Sequence, residues 1–234
     1  MWVRIIIYFV YMVVMRIKSI KYYWLLHMKG LNTARDYVFN LYRKWSRFTI
    51  KIIGVQVIVE GLDNIPDEPF VLMGNHTSIL DVPLLISSID KDLGFIAKKE
   101  VLKIPLIGCW LEKGKNVALD RGNARQGVIA INEGIDNIKE GYSMVVFPEG
   151  TRSKDGSISE FKKGSMKLAT KSKSKIVPVY IDRAFRSFEE NRRFKPNTIK
   201  IIIEKPIETI NLTKEDEKNL AGIVRDKIIS ASLI

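Results

Sequence analysis

Cysteine is nearly absent: Cys109 is the only one in 234 residues. That excludes an internal disulfide framework and a structural zinc site built on cysteines. Histidine is almost as scarce, with only His27 and His76, so a histidine-rich metal centre lacks its ligands and neither a metal nor another cofactor is expected. A Gly-x-Ser-x-Gly elbow is also missing, which leaves a covalent acyl-enzyme without an evident nucleophile. Cys109 lies in the apolar run Ile107-Gly108-Cys109-Trp110-Leu111 and reads as a buried packing residue. Long apolar runs are lacking too. The longest near the N-terminus, Ile5 to Met15, would make a helix of about 16 Å against about 30 Å of hydrocarbon. Extending it to Leu26 takes in Arg16, Lys18 and Lys21, each costing roughly 2.5–3.5 kcal/mol near mid-bilayer unless it snorkels. No small-x-small cleavage site follows the run, so a secretory leader does not fit. Internal repeats and low-complexity tracts are absent as well.

Positive charge is what the chain has in excess. The formal net charge is +12, and +8 of it falls in residues 1–60, where ten Lys and Arg face only Asp36 and Glu60. A basic arm suits either a nucleic acid or an anionic membrane surface. The run IIIYFVYMVVM decides for the membrane, because a groove-binding arm has no use for it. An in-plane or half-inserted helix fits best, with Tyr22, Tyr23 and Trp24 suited to the headgroup zone. Gly30 breaks the segment, and Thr33-Ala34-Arg35-Asp36 has the form of a capping box opening a second helix. That helix would carry Val38, Leu41, Tyr42, Trp45, Phe48 and Ile52 on one face, with Arg43, Arg47 and Lys51 as a basic stripe, and Gly54 would stop it. Residues 1–54 therefore read as a membrane-associating two-helix motif, and residues 55–234 as one further domain.

From Val55 the pattern changes. Val55, Val57 and Val59 alternate as in a half-buried strand. Short apolar runs follow at Phe70–Met73, Leu93–Ala97, Val117–Leu119, Met144–Phe147, Ile176–Ile181 and Ile199–Ile203. Helical segments separate several of them. One is capped by Asn123, with Val128, Ile131, Ile135 and Ile138 on one face. Another opens at Thr213-Lys214-Glu215-Asp216 and carries Leu220, Ile223, Val224 and Ile228. This alternation predicts an α/β domain with a mixed, largely parallel sheet flanked by helices, and ligands at the loops leaving its strand ends. Ala184 to Asn197 reads as a charged, mobile loop.

Two motifs occupy such loops. His76 and Asp81 stand five apart, about 140° on a regular helix, so they meet only if His76 lies in the turn before the helix and Asp81 in its first turn. Pro83 supports that placement, since proline is tolerated where backbone N–H groups are still free. Asp81 could then fix the imidazole tautomer through Nδ1–H and leave Nε2 as a base. An imidazole of ordinary pKa near ~6.5 is mostly neutral at pH 7. The second motif, Phe147-Pro148-Glu149-Gly150-Thr151-Arg152-Ser153, follows a strand directly. Gly150 permits a tight turn, Arg152 can grip a phosphate bidentately and Glu149 can accept from a substrate hydroxyl. Lys98 and Arg121 end other strands and could converge on the same phosphate.

These residues resemble the glycerolipid acyltransferase family, in the order of its four sequence blocks, over roughly Val59 to Ile181. Asn75-His76 with Asp81 matches the catalytic block, and Ala97-Lys98-Lys99-Glu100 leading to Leu119-Asp120-Arg121 the second. Phe147 to Ser153 is the third, and Val177-Pro178-Val179 the fourth. Val117-Ala118-Leu119 departs from the pattern, where the family usually carries bulkier residues. The resemblance implies transfer of an acyl group from acyl-carrier protein or acyl-CoA to the sn-2 hydroxyl of lysophosphatidic acid. His76 would be the base and Asp81 its orienter. Lys98, Arg121 and Arg152 would bind the phosphate, and Glu149, Gly150 and Thr151 would shape the glycerol site. Glycerol 3-phosphate or a lysophospholipid with a larger headgroup is compatible with the same residues. Bacterial members of the family have a similar two-helix foot, which implies a monotopic or peripheral protein on the cytoplasmic face of the cell membrane.

Overall fold

The computed structural model describes residues 2–104, 106–120, 122 and 124–233. Among these residues seven strands form one sheet: β1 (Val55–Glu60), β2 (Val71–Gly74), β3 (Leu93–Lys98), β4 (Val117–Leu119), β5 (Ser143–Val146), β6 (Ile176–Ile181) and β7 (Asn197–Ile203). Their order across the sheet is β1-β7-β6-β2-β5-β3-β4. Every neighbouring pair is parallel except β6 and β7. The largely parallel α/β sheet expected from the alternation is therefore present, with each apolar run in its own strand.

The helices are α1 (Trp2–Ile53), α2 (Asp81–Ser88), α3 (Gly108–Leu111), α4 (Ala124–Lys139), α5 (Lys163–Ser172) and α6 (Lys214–Ala231). Central strands β2 and β5 are buried at every position, as a strand covered on both faces must be, whereas edge strand β1 alternates. Leu72, Val145, Val177 and Ile199 join α1 and α2 in one core; Val71, Met144 and Val146 join α4, α5 and α6 in the other. The capping box at Thr213 forms as expected, with Asp216 N–H donating to the Thr213 hydroxyl. Two face assignments need correction: Val128 and Ile223 are exposed, and Ala130 and Ala221 are buried in their place. Cys109 is half-buried rather than fully packed. The Asn123 cap lies outside the described residues.

Helix α1 is a hairpin folded at Gly30, whose φ of 81° and ψ of 176° are accessible essentially to glycine alone. Its two arms, residues 2–29 and 31–53, run back along each other. Tyr11 stacks on Phe48 at 3.9 Å, Trp45 Nε1 donates to the Tyr8 hydroxyl at 3.1 Å, and the Tyr37 hydroxyl donates to the Lys18 carbonyl. The capping box expected at Thr33 does not form: the helix already runs from residue 31, and the Thr33 hydroxyl donates back to the Lys29 carbonyl. Gly54 does end the second arm, at φ 87°.

The second arm packs on the sheet domain. Val38, Phe39, Leu41 and Tyr42 enter the sheet's core, the Tyr42 hydroxyl donates to the Trp110 carbonyl at 2.5 Å, and Arg43 pairs with Asp92 at 2.9 Å. Arg43 thus leaves the basic stripe read from the sequence. The first arm keeps Ile6, Phe9, Val10, Ile17, Ile20 and Trp24 exposed. Among the described residues no helix is long and apolar enough to cross a membrane.

Candidate active site

Strands β2 and β5 are direct neighbours, with Met73 beside Val146, so the segments leaving their C-terminal ends emerge side by side. This brings together two motifs that are about seventy residues apart in the chain. Asn75 anchors the first turn: its amide donates to the Ile181 carbonyl at 3.0 Å and accepts from the Ile181 N–H at 2.8 Å, tying the end of β2 to the end of β6.

His76 lies in that turn and Asp81 is the first residue of α2. Their side chains meet, Nδ1 to Asp81 Oδ2 at 2.8 Å. Oδ2 also accepts from the N–H groups of Thr77 and Ser78, each at 2.9 Å. An oxygen receiving two backbone donors acts as an acceptor, so Nδ1 carries the proton and Nε2 presents its lone pair. Asp81 is fully buried, while the His76 side chain keeps 16% exposure. Phe147 stacks on the imidazole at 4.2 Å between centroids, fixing its plane.

Glu149 reaches into the same turn. Oε1 accepts from the His76 N–H at 2.7 Å and Oε2 from the Ser159 N–H at 3.0 Å. The carboxylate is only 5% exposed, and burial raises its pKa despite these two bonds and the nearby imidazole. Both oxygens accept from backbone, so the residue braces two loops, and each keeps a further lone pair for the substrate hydroxyl expected from the sequence. Gly150 turns at φ 75°, and a Cβ there would meet Lys162 Nζ at 2.7 Å. The Ser153 N–H donates to the His76 carbonyl at 2.8 Å, closing the second loop onto the first.

Arg152 is half-exposed and pairs through Nη1 with Glu189 Oε1 at 3.0 Å. Thr151 is exposed beside it. Lys98 ends β3, two strands from β2, and its half-exposed side chain pairs with Glu100 at 3.4 Å. Arg121 lies outside the described residues. Two contributors escaped the sequence reading: Lys162 stands over Gly150, and Glu189 sits in a segment expected to be mobile. That segment is ordered instead: a short 3-10 turn at Ala184–Ser187 buries Ala184 and Ser187. The sequence carried one hint, because an Ala and a Ser amid so many charges are candidates for burial. Among the described residues no group of acidic, histidine or cysteine side chains could hold a metal ion.

Residues 56–182, a span that includes both motifs and everything between them, match the protein family described as Acyltransferase. A 1-acyl-sn-glycerol-3-phosphate acyltransferase of Borreliella burgdorferi is 30% identical over 82% of this chain and 77% of its own length. The corresponding protein of Saccharomyces cerevisiae is 31% identical over 76% of this chain and 60% of its own. Among solved structures, that of the 1-acyl-sn-glycerophosphate acyltransferase PlsC from Thermotoga maritima superposes with a TM-score of 0.75 at 27% identity. The match covers 96% of this chain and 98% of that one.

Proposed function

The chain belongs to the acyltransferase family, and from that premise we propose that it moves an acyl group from a thioester to the sn-2 hydroxyl of a 1-acylglycerol 3-phosphate, giving phosphatidic acid. The observation that carries this reading is the 2.8 Å contact of His76 Nδ1 with buried Asp81, which leaves Nε2 as a free base beside an arginine-bearing loop.

In the proposed reaction, Nε2 takes the proton of the acceptor hydroxyl as its oxygen attacks the thioester carbonyl. The tetrahedral intermediate then collapses, expelling a thiolate that recovers the proton from the imidazolium. Asp81 holds the tautomer and stabilises the charge that forms on the ring. Transfer is direct, without an acyl-enzyme: among the described residues the ring is hydrogen-bonded only to Asp81, and no hydroxyl or thiol is poised on it. The N–H groups of residues 76–80 are all occupied by side chains, so they do not serve the developing oxyanion. The amides of Thr151 and Arg152, which make no hydrogen bond among the described residues, are our assignment for that task. Arg152, with Lys98 and Arg121, receives the acceptor's phosphate.

Residues 1–54 serve as the membrane-associating motif and 55–234 as the acyltransferase domain. The exposed apolar face of the first arm, flanked by Arg4, Arg16, Lys18 and Lys21, docks on the anionic cytoplasmic leaflet, where the lipid acceptor resides. The donor, acyl-carrier protein or acyl-CoA, is acidic and suits a chain of net charge +12. The test is turnover of labelled acyl thioester and lysophosphatidic acid by the detergent-solubilised protein and its His76→Ala variant. We expect phosphatidic acid from the wild type and a loss of roughly 10²–10⁴-fold in the variant, with folding unchanged. A folded variant of undiminished activity would remove His76 from the mechanism.

A further inference from the structure

Glu189 is absent from both motifs yet touches each of them. Its Oε1 accepts from the Ile79 N–H at 2.8 Å, inside the His76–Asp81 turn, and from Arg152 Nη1 at 3.0 Å, in the glycine loop. A single oxygen atom therefore joins the segment that holds the base to the side chain placed to hold a phosphate. The Glu189 side chain is 12% exposed, and Oε2 is buried with no partner among the described residues.

Two roles are compatible with a carboxylate on an arginine: a plug that occupies the phosphate position, or a strut that fixes the arginine. The surroundings favour the strut. Glu189 stands on a segment that braces itself, with buried Ala184 and Ser187 beneath it. The Lys195 N–H donates to the Ser187 carbonyl at 2.9 Å, and Phe188 stacks on Phe194 at 4.5 Å. The backbone bond to Ile79 holds the carboxylate whether or not Arg152 is engaged. The salt bridge uses one guanidinium nitrogen, which leaves the other donors of the fork for a bidentate phosphate. Immobilising a long side chain in advance removes an entropic cost from substrate binding.

Building on the acyl transfer proposed above, we propose that Glu189 is a positioning residue for the acceptor. It sets the distance between the base and the phosphate grip, and so favours acceptors whose hydroxyl and phosphate are separated as in glycerol 3-phosphate. The contribution comes from outside both motifs, through a loop that follows β6.

A kinetic double-mutant cycle tests this, with Glu189→Ala, Arg152→Ala and their combination compared with wild type. Glu189→Ala should raise KM for 1-acylglycerol 3-phosphate about tenfold, with a smaller change in kcat and in the donor KM. In the Arg152→Ala background the same substitution should raise KM less than about twofold, because the group it positions is gone. Glu189→Gln keeps an acceptor oxygen and the side-chain volume, guards against misfolding, and should recover most of the loss. An equal rise in both backgrounds would reduce Glu189 to a structural role, and a fall in KM would make it a plug; either result overturns the proposal. Wild-type turnover reports on the acyl-transfer reading separately. If the folded wild type turns over no acceptor, calorimetric binding of glycerol 3-phosphate to the same proteins decides the case, with the same tenfold weakening expected.

Discussion

Three carboxylates, Asp81, Glu149 and Glu189, collect the backbone N–H groups of residues 76 to 79. A turn of this kind exposes donors that cannot be left unpaired once water is displaced. Here one side chain serves His76, a second serves Thr77 and Ser78, and a third serves Ile79, each from a different part of the chain. The histidine is thereby fixed from its backbone as well as from Nδ1. Glu149 gives the clearest pH signature. Burial raises its folded pKa above the ordinary 4.5, so the native state binds the proton more tightly than the unfolded chain. Its contribution to stability is then fully present below pH 4.5 and is lost as pH rises through the raised folded value. Thermal melts of wild type and Glu149→Ala across that range should show a stability gap that narrows with increasing pH. A gap that widens would contradict the sign.

At the scale of elements, the α1 hairpin divides its work between its arms. The second arm is bound to the sheet domain by a shared core and by polar ties, of which Tyr42 is the most buried. Its hydroxyl donates to the Trp110 carbonyl and accepts from Asn116 Nδ2 at 3.0 Å, and burial pushes its pKa well up. Tyr42→Phe keeps the ring and removes both hydroxyl bonds, while the Trp110 carbonyl still accepts from the Lys113 and Gly114 N–H groups, and should cost about 0.5–1.5 kcal/mol. Chemical denaturation would measure it; an unchanged midpoint would mean that water replaces the hydroxyl. Gly30 is what allows two arms to exist: with φ at 81°, any other residue strains the bend, although a Cβ there would touch nothing.

Over the whole molecule, the sheet separates two surfaces. Helices α1 and α2 share one core and α4, α5 and α6 the other, so the apolar first arm lies on the α1 face. Phe9 and Ile17 are 60% and 61% exposed there, which is costly in water and useful against acyl chains. Flotation with phosphatidylglycerol vesicles should carry the wild-type protein up, less so at high salt. A Phe9→Asp, Ile17→Asp double variant should stay at the bottom of the gradient while keeping activity on detergent-dispersed acceptor. Flotation of that variant equal to wild type would place the lipid contact elsewhere.

The strands, their largely parallel character and the break at Gly30 were legible in the sequence because each depends on local pattern: apolar runs for buried strands, alternation for an edge, glycine for a left-handed bend. The His76–Asp81 pairing was legible for the same reason, since a turn followed by a helix start spans only six residues. Tertiary structure alone decided the rest. It made Glu149 a brace between two loops, because the neighbouring order of β2 and β5 brings its carboxylate under the His76 N–H. It took Arg43 out of the basic stripe by placing Asp92 opposite. It brought Glu189 from a charged loop to the one position where Ile79 and Arg152 share an acceptor. Contacts between residues tens of positions apart follow from strand order and loop packing, and no local pattern in the chain encodes which distant carboxylate will satisfy a given N–H.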